Sequence, residues 1–265
     1  MSAVQIAILS AVGIPWIAAA GLLALGENRN RARLVTGVVA AIATTVAVLY
    51  LGFNVAGSAD PPSIYLPLLG IGFGLMADGL GVLFALLAAS LWLVTTIYAT
   101  GYMASAKDKA RFFGFFAICI GSAIGIALSS NLLTLFIFYE ALTLATYPLV
   151  AHKGTEAAIR GGRTYLKYAL TGGAALALGT IWLYSMGAGS FIPGGSLSAE
   201  LFDSHGGQLT AIFALLIAGF GVKAALFPAH GWLPAAMVAP APVSSLLHAV
   251  AVVKAGVFGL SLIHI

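Results

Sequence analysis

Charge is what this sequence has least of. Asp, Glu, Lys and Arg make up 8% of its 265 residues, while 61% are hydrophobic. A water-soluble domain carries about 25% charged residues. A soluble globular fold is therefore excluded, and the chain reads as a polytopic membrane protein with room for about eight spans of roughly 20 residues. Cysteine is nearly absent. Cys119 stands alone inside an apolar run, so an intrachain disulfide is excluded and the thiol reads as a small core residue. No CxxC, no HExxH and no clustered His and Asp occur, so no metal site is expected. No glycine-rich phosphate loop follows a strand, and no nucleophile is placed beside a base. Nucleotide, flavin and iron–sulfur chemistry have no signal, and no cofactor is expected. The formal charge of +4 reflects basic loops at a membrane surface rather than a nucleic-acid partner. The first apolar run lacks a basic leader region and is long enough to span.

What is present is a ladder of apolar runs. They fall at about Ala3–Leu25, Leu34–Gly57, Gly79–Tyr102, Phe112–Leu128, Leu132–Ala151, Tyr165–Met186, Leu209–Phe227 and Val243–Ile263. The fold expected is an all-α transmembrane bundle of about eight helices. The connections after spans 1, 3 and 5 each carry three basic residues, and those after spans 2, 4 and 6 carry none. The positive-inside rule then puts the odd connections in the cytoplasm and the N-terminus outside, in a bacterial or archaeal plasma membrane. Pro61, Pro62 and spaced glycines in the connection after span 2 argue for extended chain at the interface. The last run passes into SLIHI without a polar tail, and the expectation is a chain that continues.

Two lysines mark the most informative stretch. Lys223 precedes and Lys254 follows a break defined by Pro228, Pro234, Pro240 and Pro242. An ammonium at membrane depth costs a few kcal/mol and needs a partner, water or a function. Prolines that break a membrane helix free backbone carbonyls, which is tolerated where the break lines a cavity or packs in protein. The helix is therefore expected to be broken around residues 223–242. His230 lies in the break, and His248 shares the last span with Lys254. A histidine titrates near neutral pH and suits a relay. Glu140 sits mid-span in LFIFYEALTLATYPLV, so it is protonated or paired. Helical spacing puts Thr143 and Tyr147 on its face. Lys167, at the start of span 6, either snorkels to the interface or joins the same network. Glu140 and Lys223 are expected within ion-pair reach of each other, although their depths differ by roughly 9 Å along the helices. His152 and His205 read as loop residues without a role.

At this point the residues resemble a known family. FPAHGWLPAAMVAPAPVSSLLHAVAVVKAG is similar to the signature of the antiporter-like membrane subunits shared by respiratory complex I (NADH:quinone oxidoreductase) and Mrp-type cation/proton antiporters. GLMADGLGVLFALL and FIFYEALTLATYPLV resemble two further family segments. The resemblance implies that Glu140 is the membrane glutamate paired with Lys223. It implies that His248 and Lys254 continue the proton path, with Lys167 near an intermediate helix. It also implies about fourteen helices in two inverted repeats. On that frame residues 1–110 are three N-terminal helices, and 111–265 are the ion-translocating bundle of the first repeat.

The function expected is a proton-translocating subunit of a multi-subunit membrane complex. It has no redox chemistry of its own. Its partners are other membrane subunits, H⁺ and, in exchange, Na⁺. The alternatives are an independent small-solute transporter and a purely structural membrane subunit.

Overall fold

A computed structural model describes residues 1–55, 60–68, 71–191, 197, 199–246 and 251–263. The first helices are α1 (Ala3–Ala24) and α2 (Asn30–Val55). A hairpin of β1 (Ser63–Leu68) and β2 (Ile71–Met76) follows, then α3 (Gly79–Tyr102), α4 (Lys109–Ala127), α5 (Leu132–Val150) and α6 (Glu156–Ser185). The last part holds α7 (Ala199–Lys223), the short α8 (Trp232–Ala236) and α9 (Ala241–Ser245), and α10 (Val252–Leu262). Seven helices, α1 to α7, are long and apolar enough to cross a membrane. The chain is an all-α integral membrane bundle, as its composition requires.

Over the eighth run the described residues form α9 and the 11-residue α10, and residues 247–250 lie outside the described residues. Pro240 caps α9 and Pro242 lies in its first turn, since a helix can begin at proline but not run through it. The extended connection after α2 is a paired hairpin, with Ser63 opposite Met76 and Leu68 opposite Ile71.

α4 is the axle of the N-terminal half. Its glycines let neighbours in: Gly114 takes Leu23 of α1, Gly121 takes Trp16 of α1 and Gly125 takes Phe138 of α5. Helices in lipid gain no hydrophobic drive from meeting one another, so close packing at small residues holds them.

The connections sort to two ends. At one end the Glu27 carboxylate accepts from the backbone N–H groups of Lys109 and Ala110 at 3.0 and 3.1 Å. It thereby caps α4 from the α1–α2 loop, and those N–H groups hold its pKa below the usual carboxylate value. Arg111 then donates to the His152 carbonyl at 3.3 Å, tying in the α5–α6 loop. The three basic connections thus share one end. At the other end the hairpin meets the α4–α5 turn, with Met76 N–H on Leu128 O at 2.7 Å and Ser130 N–H on Gly74 O at 3.0 Å. The chain after α6 joins them through Leu132 N–H on Gly189 O at 2.9 Å.

Candidate functional site

The site grows from the crossing of α6 and α7. Gly172 packs on Val222, and Gly219 packs on Leu176, so the two backbones lie almost in contact. That crossing carries the end of α7 into the bundle beside α5. α7 stops at Lys223. Leu226 N–H returns to Gly221 O at 2.9 Å and Ala225 N–H to Val222 O at 3.1 Å, the hydrogen-bond pattern of a Schellman cap. The cap needs a left-handed residue, and Ala225 supplies it at φ 56°. Glycine usually fills this place, and alanine costs about 1–2 kcal/mol there. Gly221 leaves room for the Leu226 side chain that completes the motif. The Phe227–Pro228 peptide beyond it is cis. Trp232 of α8 then folds back, and its indole N–H donates to the same Val222 carbonyl at 2.7 Å. The helix is broken where the prolines said it would be.

Lys223 is 1% exposed. Its ammonium lies in the last turn of α7, where the helix dipole favours a cation. It donates to the Tyr139 carbonyl of α5 and sits 3.3 Å from the centroid of the Tyr139 ring. The Tyr139 hydroxyl donates back to α7, to Gly219 O at 2.9 Å. Thr143 Oγ1 also donates to the Tyr139 carbonyl, at 3.1 Å. A buried charge needs several such partners, and the ring adds a cation–π contact.

Glu140 is the next residue on α5, yet it makes no ion pair with Lys223. Among the described residues the ion pairs are Arg111–Asp108 and Arg160–Glu156. The expected Glu140–Lys223 contact is thus corrected: the two charges interact through space, but the ammonium is held by Tyr139. The reason is the register of the crossing, which aligns Gly219 and Lys223 with Tyr139. The Glu140 carboxylate lies instead against Gly173 of α6, where an added Cβ would overlap Oε1. Oε1 is buried and has no hydrogen-bond partner. Thr143 does not serve Glu140, since its hydroxyl is spent on the Tyr139 carbonyl. Tyr147 is half-buried, with its ring on Gly162 of α6.

Other buried polar groups continue from this pair toward the basic end. The Tyr165 hydroxyl is buried and unpartnered, and its ring meets Trp232 edge to face at 5.4 Å between centroids. Cys119 Sγ lies 3.6 Å from Thr146 Oγ1. His152, expected to be an idle loop residue, is 9% exposed with its Nδ1 buried and unpartnered. Burial, with the Arg111 charge beside it, holds its pKa below the usual histidine value.

The remaining expected site residues do not join the core. Lys167 is exposed on α6, and His230 is exposed in the turn before α8, stacked on Phe227 at 5.7 Å. Lys254 is exposed on α10. α10 itself packs against the broken end of α7, with Gly256 on the Lys223–Ala224 backbone and Gly259 on the Phe220 ring. His248 lies outside the described residues. Sequence reasoning missed Tyr139, Gly173 and Trp232. Only the Gly172–Gly173 doublet, inside an apolar run, offered a signal.

Residues 129–265 match the transmembrane family described as NADH:quinone oxidoreductase/Mrp antiporter. Residues 64–113 match the N-terminal family of NADH-ubiquinone oxidoreductase (complex I) chain 5. A putative antiporter subunit mnhA2 of Staphylococcus aureus (strain MSSA476) is 31% identical over 244 residues, covering 89% of this chain. The chain spans 30% of the length of that relative. Among solved structures, a chain of the Mrp complex from Dietzia sp. DQ12-45-1b superposes with a TM-score of 0.78 at 27% identity, over 98% of this chain and 28% of its own. A chain of the membrane-bound sulfane sulfur reductase, an archaeal respiratory membrane complex, superposes with a TM-score of 0.84 over 97% of this chain and 52% of its own. At 23% identity that likeness concerns the fold.

Proposed function

We propose a function from one premise: this chain belongs to the NADH:quinone oxidoreductase/Mrp antiporter transmembrane family. It works as a proton-translocating subunit of a multi-subunit membrane complex. The Staphylococcus and Dietzia relatives favour an Mrp-type assembly that exchanges H⁺ for Na⁺, over a complex I-like one. The basic end faces the cytoplasm of a bacterial or archaeal cell, which puts the N-terminus outside.

One observation carries this reading. A fully buried lysine closes a broken membrane helix on the carbonyl of Tyr139, and the next residue, Glu140, holds a buried carboxylate oxygen without a hydrogen-bond partner among the described residues. A purely structural lysine would be costly and would gain little from such an arrangement. Lys223 is the proton carrier. The Tyr139 carbonyl and ring receive its charged form, and the nearby Glu140 charge favours keeping the proton. Displacement of the Glu140 carboxylate withdraws that support and releases the proton. Tyr165, Thr146 and Cys119 make a polar row by which the site is reached from the basic end. Lys254, on α10 packed against α7, and His248 before it in sequence receive the proton beyond Lys223. Lys167, His230 and Tyr147 have no part in this core step.

The test is proton transport in membrane vesicles that contain the assembled complex, followed with a pH-sensitive dye. Glu140→Gln is expected to lower the rate at least about tenfold, the loss for removing about 1.4 kcal/mol of differential stabilisation. Normal transport in that variant would leave Glu140 as structural glue and favour the structural-subunit reading.

A further inference from the structure

We propose that the cavity between α2, α3 and α4 at the basic end binds the phosphate of an anionic phospholipid. The inference does not rest on the proton-transport reading. The cavity holds about 210 Å³ and is lined by Asn30, Arg33, Thr100 and Lys109 on its polar side, with Leu34 and Phe113 among its apolar walls.

Arg33 makes this more than a gap between helices. It is 2% exposed, an unusual burial for a guanidinium at a loop end. Its acceptors are all neutral: Asn30 Oδ1 at 2.9 Å, Gly26 O at 2.9 Å and Glu27 O at 3.5 Å. Its Nε–H is buried without a partner. No carboxylate forms an ion pair with it among the described residues. Glu27 is the nearby acid, and its oxygens are engaged by the Lys109 and Ala110 N–H groups. Asp108 is engaged by Arg111. The Lys109 ammonium, which shares the cavity, donates to the Ala104 carbonyl. Two cations therefore line one cavity, with the single Glu27 carboxylate near both and in contact with neither side chain. Buried cations of this kind call for an anion, and a phosphate offers oxygens for Arg in a bidentate geometry.

The surroundings choose a lipid over a free anion. Tyr98 and Tyr102 lie at the same end of α3, both exposed, with ring centroids 5.8 Å apart. Paired exposed tyrosines at a helix end mark the membrane–water interface. From the cavity, Val35, Val39, Ile42 and Val46 form an exposed apolar row down α2, and Val94 and Ile97 do the same on α3. A phosphate at Arg33 and Lys109 sits at headgroup depth, and its acyl chains have an apolar surface to follow. Basic pockets between membrane helices on this side are the expected place for such headgroups.

Native mass spectrometry of the 265-residue chain in mixed micelles tests the proposal. The probes are phosphatidylglycerol, phosphatidylcholine and inorganic phosphate alone. The wild type is expected to retain phosphatidylglycerol over phosphatidylcholine and to melt at a higher temperature with it. Lys109→Gln removes a half-buried cation whose own contact is a loop carbonyl, and the fold is expected to survive. Retention should fall about fivefold for each cation removed, in Lys109→Gln and in Arg33→Gln. Unchanged retention in a folded Lys109→Gln, or equal retention of both lipids, would overturn the proposal. The same thermal shift from inorganic phosphate alone would also overturn it, by making the cavity a free-anion site.

Discussion

Lys223 and Tyr139 hold each other at both ends. The ammonium donates to the tyrosine's backbone carbonyl and lies 3.3 Å from its ring centroid, while the phenol donates to Gly219 O at 2.9 Å, one turn before the lysine. The clasp fixes the broken end of α7 against α5 and leaves Glu140 facing Gly173.

Gly173 is expected to be as sensitive as Glu140. A methyl group there would occupy the space of Oε1 and push the carboxylate off its place. Gly173→Ala should give a folded protein with transport lowered about tenfold or more. Vesicle transport, with expression and melting temperature as controls for folding, checks this. A fully active Gly173→Ala would show that the carboxylate position is irrelevant.

The break is expected to tolerate relief of strain but not loss of its hydrogen bond. Ala225→Gly removes the penalty of a left-handed alanine at φ 56° and should stabilise by about 1 kcal/mol. Trp232→Phe removes the indole hydrogen bond, leaves the Val222 carbonyl only its bond from the Ala225 N–H, and should cost about 0.5–1.5 kcal/mol. Thermal unfolding in detergent distinguishes the two directions of shift.

His152 ties stability to pH. Its folded pKa lies below the usual 6.5, because of burial first and the Arg111 charge second. Asp108 and Glu27, which act in the opposite direction, do not cancel this. Below the unfolded value the unfolded chain therefore binds more protons than the folded one, and stability is lost as pH falls. The melting temperature of the wild type should drop as pH falls below 6.5, and His152→Gln should flatten part of that drop. An identical pH profile in the variant would remove His152 from the account.

The loops also assign the two ends. With Cys119 fully buried, single cysteines can be read by an impermeant label. Cysteines at Arg31, Asp108 and Thr155 should react from the cytoplasmic side. Those at Asp60 and Ser190 should react from the opposite side. Reversal of any one position would contradict the proposed orientation.

The sequence and the structure agree where length and hydropathy suffice, and part where helix rotation matters. The first seven spans were legible because each is a long apolar run between polar connections, and the break because prolines cannot continue a helix. Lys167, His230 and Lys254 were expected near the core and are exposed. Spans that are apolar all round carry no amphipathic signal of which face turns inward. The Lys223 partner was illegible for another reason. A backbone carbonyl such as that of Tyr139 has no sequence signature, so a carboxylate one residue later drew the attention. The Glu27 cap on α4 spans most of a hundred residues and left no local trace.

The most direct measurement is a double-mutant cycle on proton transport in vesicles containing the complex, with Glu140→Gln, Lys223→Met and the pair. If Lys223 carries the proton and Glu140 controls it, each single variant loses most of the activity. The double variant is then no slower than the slower single one, because the two act as a unit. Near-normal transport in Lys223→Met, in a protein that folds and assembles, would contradict the account at its centre.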